Sequence, residues 1–160
     1  VVENDKLLSQ FYGYIGDSQY QLKNYALSDA AYDKAISIDK NNTTAMNNYA
    51  YYLSLRNHNL PKAEAISKRS NELEPNNSSY QDTYGWVLYK MGKYHDAKIW
   101  IGKAIDNGGQ NNGTLLEHYG DILYKLGDVT NALRYWENAK RSGDTTDLID
   151  KKIADKKLYE

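Results

Sequence analysis

The fold is decided by a stretch in the middle of the chain, Tyr84-Gly85-Trp86-Val87-Leu88-Tyr89-Lys90-Met91-Gly92-Lys93-Tyr94-His95-Asp96-Ala97. Apolar or aromatic residues recur every three or four positions before Gly92 and again after it, as on one face of an α-helix. The first set is Tyr80, Tyr84, Val87, Leu88 and Met91, and the second is Tyr94, Ala97, Ile101, Ala104 and Ile105. Because only a few residues separate the sets, the pattern predicts two antiparallel helices. Gly85 and Ala97 are small enough to let them approach closely.

The helix pair recurs along the chain at a nearly constant period. Counterparts of Gly85, Ala97 and Ala104 follow one another at steps of 34 or 35 residues. The three series are Gly16, Ala50, Gly85, Gly120; Ser28, Ala63, Ala97, Ala132; and Ala35, Ser70, Ala104, Ala139. Three series in register over four copies predict a chain built from helix-turn-helix repeats.

This pattern resembles the tetratricopeptide repeat, which has a small residue in its first helix, Gly and Tyr near the turn, and Ala, an aromatic residue and Ala in its second. The resemblance covers about Ser9–Asp144. It implies an all-α fold, an α-α superhelix (right-handed solenoid) forming a single domain over residues 1–160. The expected repeats are about 9–42, 43–77, 78–112 and 113–144, with a C-terminal capping helix at about 145–160. Because the chain begins Val1-Val2 without Met, we expect it to be a piece of a longer protein.

Composition limits the classes of partner. The 160 residues are 41% hydrophobic, which suffices for one domain with a sizeable core. The formal net charge is −1 with acidic and basic residues interspersed, so we expect no nucleic-acid partner. No run approaches the roughly 18 apolar residues of a membrane span, so we expect no membrane insertion by this fragment. The absence of cysteine leaves the cellular compartment open.

The pattern contains no constellation typical of an enzyme. A nucleophile with a base, a pair of perturbed carboxylates or a metal-binding cluster cannot be assembled from it. The three histidines, His58, His95 and His118, fall in different elements without a partner ligand at helical spacing. We therefore predict that the protein is not an enzyme, with no catalytic residues, no metal site and no cofactor.

The aromatic residues indicate where a ligand binds. The chain has 16 Tyr, 3 Trp and 1 Phe, more than the packing positions of the repeats require. In tetratricopeptide repeats the first helices line a concave groove, and the resemblance gives that role to corresponding positions here. They are Gly13, Tyr14, Asp17, Tyr20, Gln21, Asn47, Asn48, Tyr51, Ser54, Leu55, Asp82, Trp86, Tyr89, Lys90, Glu117, His118, Asp121, Tyr124 and Lys125. From this set the predicted ligand-binding residues are Tyr20, Asn47, Tyr51, Asp82, Trp86, Tyr89, Lys90, Glu117, Asp121 and Tyr124.

These features favour a non-catalytic scaffold or adaptor that binds a peptide segment of a partner protein in the groove. Tyr and Trp offer large contact area at low entropic cost, and an Asn amide can both donate to and accept from a peptide backbone. Two alternatives remain open at this point. The chain could be a structural packing module of a longer repeat protein, or its exposed aromatic residues could stack on the sugar rings of a glycan.

Overall fold

A computed structural model describes residues 3–160 of the chain, and its regular secondary structure over that range is entirely helical. The helices fall into two compact units, one ending at Pro75 and the other spanning Asn76–Glu160. Val1 and Val2, which the predicted domain includes, lie outside the described residues. The prediction of an all-α helical-repeat fold is confirmed.

Unit 1 contains two helix hairpins. Its helices are α1 (Glu3–Gln21), α2 (Tyr25–Ile38), α3 (Thr43–Leu55) and α4 (Leu60–Leu73). Helix α1 crosses α2 at Gly16, where a methyl group would lie 2.7 Å from Cε2 of Tyr32. The hydroxyl of Ser28 donates to the carbonyl of Gly16 at 2.8 Å. The ring of Tyr32 is buried and stacks on Tyr49 of α3 at 5.1 Å between centroids, which joins the two hairpins.

Unit 2 contains two hairpins and a short final helix. Its elements are α5 (Ser78–Lys90), α6 (Tyr94–Asp106), a 3-10 turn (Gly109–Asn111), α7 (Gly113–Lys125), α8 (Val129–Ser142) and α9 (Ile149–Asp155). The small residues again permit close crossings. A methyl group at Gly85 would lie 2.4 Å from Cγ1 of Ile101, and one at Gly120 would lie 2.5 Å from Cδ1 of Trp136. Larger residues at either glycine would therefore overpack the crossing.

Asparagine caps set the start of three first helices. The side chains of Asn42 and Asn112 accept from the backbone N–H groups of Ala45 and Leu115, each at 3.0 Å. Asn77 accepts in the same way at the start of α5. The three caps are 35 residues apart. An Asn side chain at this position satisfies a backbone donor that the helix leaves unpaired, so the Asn-rich turns have a structural role.

The final helix is shorter than the predicted capping helix over residues 145–160. Before α9, Thr146 directs its backbone N–H and its hydroxyl to the carboxylate of Glu117, at 2.8 and 2.6 Å. After α9, Lys156 adopts a left-handed conformation with φ 49°, which ends the helix. Residues 158–160 lie outside regular secondary structure. The C-terminal segment, defined here as residues 146–160, is thus a helix of two turns with anchored ends.

Candidate functional site

The predicted ligand-binding residues all lie on the first helix of a repeat. We call the face formed by α1 and α3 the first-helix face of unit 1, and the face formed by α5 and α7 the first-helix face of unit 2. Tyr20, Asn47 and Tyr51 belong to unit 1. Asp82, Trp86, Tyr89, Lys90, Glu117, Asp121 and Tyr124 belong to unit 2. The two faces differ in what covers them.

The first-helix face of unit 1 contains an open cleft of about 120 Å³ between α1 and α3. Its lining residues are Gln10, Gly13, Tyr14, Asp17, Tyr32, Asn42, Thr44, Ala45 and Asn48. Helices α1 and α3 are neighbours at Gly13, where a methyl group would lie 3.9 Å from Cβ of Ala45, an ordinary packing distance. The Tyr14 side chain is 64% exposed at the edge of the cleft. Four of these positions, Gly13, Tyr14, Asp17 and Asn48, are groove positions that the sequence predicts.

Asp17 is the polar centre of this cleft. Its Oδ1 accepts from the hydroxyl of Tyr32 and, at 3.4 Å, from the amide of Asn48. Burial, together with Asp17 as acceptor, raises the pKa of the Tyr32 hydroxyl well above its usual range, so this phenol stays protonated and donates. The contact therefore fixes the carboxylate of Asp17 between α1 and α3.

The three predicted residues of unit 1 do not line the cleft, and they contact other residues of the unit. Tyr20 stacks on Tyr52 at 3.7 Å between centroids, and Tyr51 is 6.2 Å from the same ring. All three tyrosines are half-buried. The amide of Asn47 donates to Asn48 at 3.4 Å, and its Oδ1 is buried with no hydrogen-bond donor among the described residues. This surface is largely aromatic and contains one acceptor that lacks a partner there.

Trp86 and Tyr89 of unit 2 are buried rather than open to a ligand. Trp86 is 7% exposed and Tyr89 is 3% exposed. The indole of Trp86 stacks on His118 of α7 at 3.9 Å and on Tyr89 at 4.5 Å. Its N–H has no acceptor within the described part of the chain. The neighbouring Asp82 carboxylate contacts Nδ1 of His118 at 2.9 Å, which makes these residues part of the α5–α7 contact.

Glu117 and Asp121 are buried by the C-terminal segment. The ammonium of Lys152 on α9 donates to Oε1 of Glu117 and to both carboxylate oxygens of Asp121, each at 2.8 Å. The indole N–H of Trp136 also donates to Asp121, at 2.8 Å. Lys152, Glu117 and Asp121 are 2%, 2% and 3% exposed. Two carboxylates and one ammonium therefore lie in the interior of unit 2.

The two carboxyl groups respond differently to this environment. Burial raises the pKa of Asp121 to about 6, although Lys152 and Trp136 act in the opposite direction. Burial alone would also raise the pKa of Glu117, but the donors of Lys152 and Thr146 lower it below its ordinary value. The cluster has more negative than positive charge when both groups are ionised, which is costly away from water. Asp121 is the group that relieves this cost by taking up a proton.

The remaining predicted residues of unit 2 surround the end of the chain. The hydroxyl of Tyr89 donates to the Glu160 carboxylate, and the ammonium of Lys125 donates to the same group at 3.2 Å. The ring of Tyr124 lies 5.7 Å from Trp136, between centroids. The ammonium of Lys90 lies 5.1 Å above the ring of Trp86. Glu160 thus connects the first-helix face of unit 2 to the C-terminal segment.

The predicted set lacks three residues of the C-terminal segment, Lys152, Thr146 and Glu160. The sequence does contain a signal for Lys152. Lys152 follows Glu117 by 35 residues, as Glu117 follows Asp82, so the period continues beyond the fourth repeat. Helix α9 takes the place of a fifth first helix at the level of sequence register. No comparable signal identifies Thr146 or Glu160, because their contacts depend on the path of the chain around α9.

No group of three or more His, Cys, Asp or Glu residues between positions 3 and 160 could hold a metal ion. Among the helices of the same range, none has the length and apolar character needed to cross a membrane.

Comparisons with known proteins identify the repeat and the fold. The tetratricopeptide repeat family model matches residues 9–42. No curated protein sequence matches the chain. Among solved structures, PilF of Pseudomonas aeruginosa superposes with a TM-score of 0.75 at 21% identity, over 92% of this chain and 68% of PilF. PilW, a type IV pilus biogenesis factor, gives a TM-score of 0.78 at 15% identity, over 92% of this chain and 70% of PilW.

A third solved structure is YrrB, described as a tetratricopeptide-repeat protein with an unusual peptide-binding site. It gives a TM-score of 0.64 at 18% identity, over 82% of this chain and 66% of YrrB. At such identities the likeness establishes the fold alone. Together with the repeat matched at residues 9–42, it confirms the resemblance on which the sequence interpretation rests. The chain carries a tetratricopeptide repeat and has the helical-repeat fold of tetratricopeptide-repeat proteins.

Proposed function

We propose that the protein is a non-catalytic adaptor that binds a peptide segment of a partner protein on the first-helix face of unit 1. The observation that carries this proposal is the open cleft between α1 and α3, which coincides with predicted groove positions. Its 120 Å³ suits one or two side chains of a peptide. Tyr20, Asn47 and Tyr51 extend the contact surface beyond the cleft.

The chemistry of the cleft suits a peptide backbone with an apolar or basic side chain. Tyr14 offers an exposed ring, and aromatic rings contribute strongly to binding because they bury large area with few rotatable bonds. The amides of Asn47 and Asn48 can pair with backbone N–H and C=O groups. Asp17 supplies negative charge at the centre, where its contact with Tyr32 holds it in place. YrrB offers a precedent for peptide binding on this fold.

A displayed library of random peptides tests the proposal and requires no choice of partner. Peptides selected on the immobilised chain should lose binding to a variant with Tyr14→Ala and Asn48→Ala. Truncating a residue that contributes strongly to binding typically costs about 2 kcal/mol, or roughly 30-fold in affinity. The matched control is Lys34→Ala, an exposed position on α2 away from the cleft. Peptides that bind the double variant as well as the parent chain would overturn the proposal, as would the absence of any selected peptide.

A second candidate function, stacking against a further helical repeat, is supported by the outer face of α1. This face exposes Phe11 by 53% and Ile15 by 45%, together with Leu7 and Leu22. The residues in register on α3, Ala45 and Tyr49, are 3% and 2% exposed, and Tyr49 packs on Tyr32 of the preceding hairpin. The apolar positions that are buried on α3 are thus exposed on α1, and a contiguous apolar face of this kind is unusual on a free protein surface. It fits a module that continues a repeat array.

This candidate can be tested by adding a repeat. A chain in which a second copy of residues 9–42 directly precedes Ser9 keeps the register of the repeats. If the α1 face is a stacking surface, amide hydrogens of α1 should exchange more slowly in the extended chain. Replacing Phe11 and Ile15 of the original α1 by Glu in that chain should remove the added protection. Unchanged exchange of α1 in the extended chain would rule out stacking.

A further inference from the structure

The C-terminal segment has two parts that are held with different strength. The first part is α9, whose Lys152 is buried between Glu117 and Asp121. Apolar side chains of α9 reinforce this anchor, since Ile149 and Ile153 pack with the core cluster that contains Leu123 and Trp136. This part packs against the last repeat, where the sequence predicts a cap.

The second part consists of the last residues, which contact the face as a bound peptide would. The side chain of Leu158 packs against the same apolar cluster. Two residues later, the Glu160 carboxylate accepts from Tyr89 of α5 and from Lys125 of α7. One apolar side chain therefore contacts the cluster, and one acidic side chain two positions later contacts α5 and α7.

The contacts of Glu160 define a carboxylate-binding arrangement. The Tyr89 hydroxyl belongs to a buried residue and needs an acceptor. Burial alone would raise the pKa of Glu160, but Tyr89 and Lys125 lower it, with Lys90 acting in the same direction. The carboxylate is therefore held in its ionised form by one phenol and two lysines. A neutral amide would accept these hydrogen bonds more weakly, and a basic side chain could not accept them at all.

The same contacts are easily displaced. The Lys125 and Glu160 side chains are 30% and 42% exposed, and ion pairs in contact with water contribute little to stability. Lys156, at the end of α9, separates them from the buried anchor of Lys152. The last residues can thus leave the face while α9 stays in place.

From these observations we propose that Tyr89, Lys125 and the adjoining apolar cluster form a peptide subsite that the chain's own Leu158 and Glu160 occupy. Its ligand is an acidic peptide of another protein with the pattern apolar-x-acidic, which binds by displacing the end of the chain. This subsite is on unit 2 and is separate from the cleft of unit 1. Binding there is regulated by competition, because a tethered segment is present at an effective concentration in the millimolar range.

The test uses the full chain with the subsite opened by Leu158→Ser and Glu160→Gln. Both residues are close to the end of the chain and outside the helices, so the fold should be retained. The probe is a synthetic peptide with the sequence of residues 153–160 and an amidated end, so that the carboxylate corresponding to Glu160 is a side chain. Binding is followed through the indole N–H resonance of Trp86, whose ring lies 4.5 Å from Tyr89. Trp100 serves as the internal reference.

The peptide should shift the Trp86 resonance in the opened chain and bind the parent chain at least tenfold more weakly. A control peptide with E160Q should not shift it, and neither should the normal peptide when Lys125→Ala is added to the opened chain. Equal binding to the parent and opened chains, or no binding to the opened chain, would overturn the proposal. Loss of peptide binding at the cleft of unit 1 would leave this result unaffected, because the two surfaces are probed by different residues.

Discussion

The first-helix faces of the two units occupy equivalent positions in the repeat but have different chemistry. In unit 1 the position of Asn47 is neutral and the cleft beside it is open. In unit 2 the corresponding positions are Asp82 on α5 and Glu117 on α7. The Asp82 carboxylate pairs with a ring nitrogen of α7, and the Glu117 carboxylate pairs with the Lys152 ammonium of α9. The comparison shows that one register position can serve a ligand or a packing contact. Within unit 2 the packing contact depends on which side chain the next first helix presents.

The turns of the two units differ in a related way. The second residue after each first helix adopts positive φ in all four repeats. In unit 2 it is Gly92 or Gly127, but in unit 1 it is Lys23 or Asn57. A side chain in this conformation is strained, whereas glycine is not. Unit 2 therefore combines glycine at both of these turns with a costly buried charge cluster, and unit 1 has a non-glycine residue at both turns without such a cluster.

The largest expected effect concerns the charge cluster. Lys152→Met should leave Glu117 and Asp121 buried without a cation and cost about 3–5 kcal/mol in the stability of unit 2. All three tryptophans of the chain, Trp86, Trp100 and Trp136, lie in unit 2, so urea unfolding followed by tryptophan fluorescence reports on this unit alone. Lys151→Met, at an exposed neighbouring position, is the control and should cost little. A similar loss of unfolding free energy in both variants would mean that the charge cluster does not anchor α9.

A pair of tryptophan substitutions separates a satisfied indole from an unsatisfied one. Trp136→Phe removes a donor to the Asp121 carboxylate, and hydrogen bonds to charged groups contribute about 1.5–3 kcal/mol. Trp86→Phe removes an N–H that has no acceptor among the described residues. The free energy of unfolding should therefore fall less than it does for Trp136→Phe, and the two losses should differ by at least about 1 kcal/mol. Urea unfolding monitored through the remaining tryptophans measures both. Equal losses would indicate that Trp86 has a hydrogen-bond partner in solution.

The pH dependence of unit 2 should show the protonation of Asp121. The pKa of Asp121 in the folded state is about 6, above its ordinary value of 3.8, so the folded state takes up the proton first as the pH falls. The resulting stability is fully present below 3.8 and is lost as the pH rises through about 6. When the pH is lowered from 7 to 5, the free energy of unfolding of unit 2 should rise by about 1 kcal/mol.

Other ionisable groups around Asp121 must be separated from this effect. Lys152, His118 and Glu117 all face the cluster. Glu117 acts in the opposite direction, because its lowered pKa gives stability that is lost only as the pH falls further. Asp121→Asn removes the titrating group while it keeps the shape of the side chain. If the free energy of unfolding rises equally in the parent chain and in this variant when the pH is lowered from 7 to 5, another group causes the change.

Much of the fold follows from the sequence because its determinants are local and periodic. Gly16, Gly85 and Gly120 mark helix crossings that admit no larger residue, and their spacing gives the repeat directly. The burial of Trp86 and Tyr89 could not be predicted from this local spacing. It depends on His118 and on Glu160, which lie 32 and 71 residues further along the chain from Trp86 and Tyr89 respectively. A contact of Lys152 with the last repeat could have been predicted from the sequence, since Lys152 continues the 35-residue period.

The smallest expected effect tests the contrast between the turns. Lys23 has φ 62°, and its replacement by Gly should stabilise unit 1 by about 0.5–1 kcal/mol, since relief of left-handed strain exceeds the added flexibility of the unfolded chain. The reciprocal change, Gly92→Lys, should destabilise unit 2 by a similar amount. Unit 1 contains no tryptophan, so native-state hydrogen exchange of α1 and α2 measures the first change and tryptophan fluorescence the second. Slower exchange in the Lys23→Gly chain, with unchanged fluorescence unfolding, is the expected result. Faster exchange would mean that Lys23 makes a stabilising contact that outweighs the strain of its backbone.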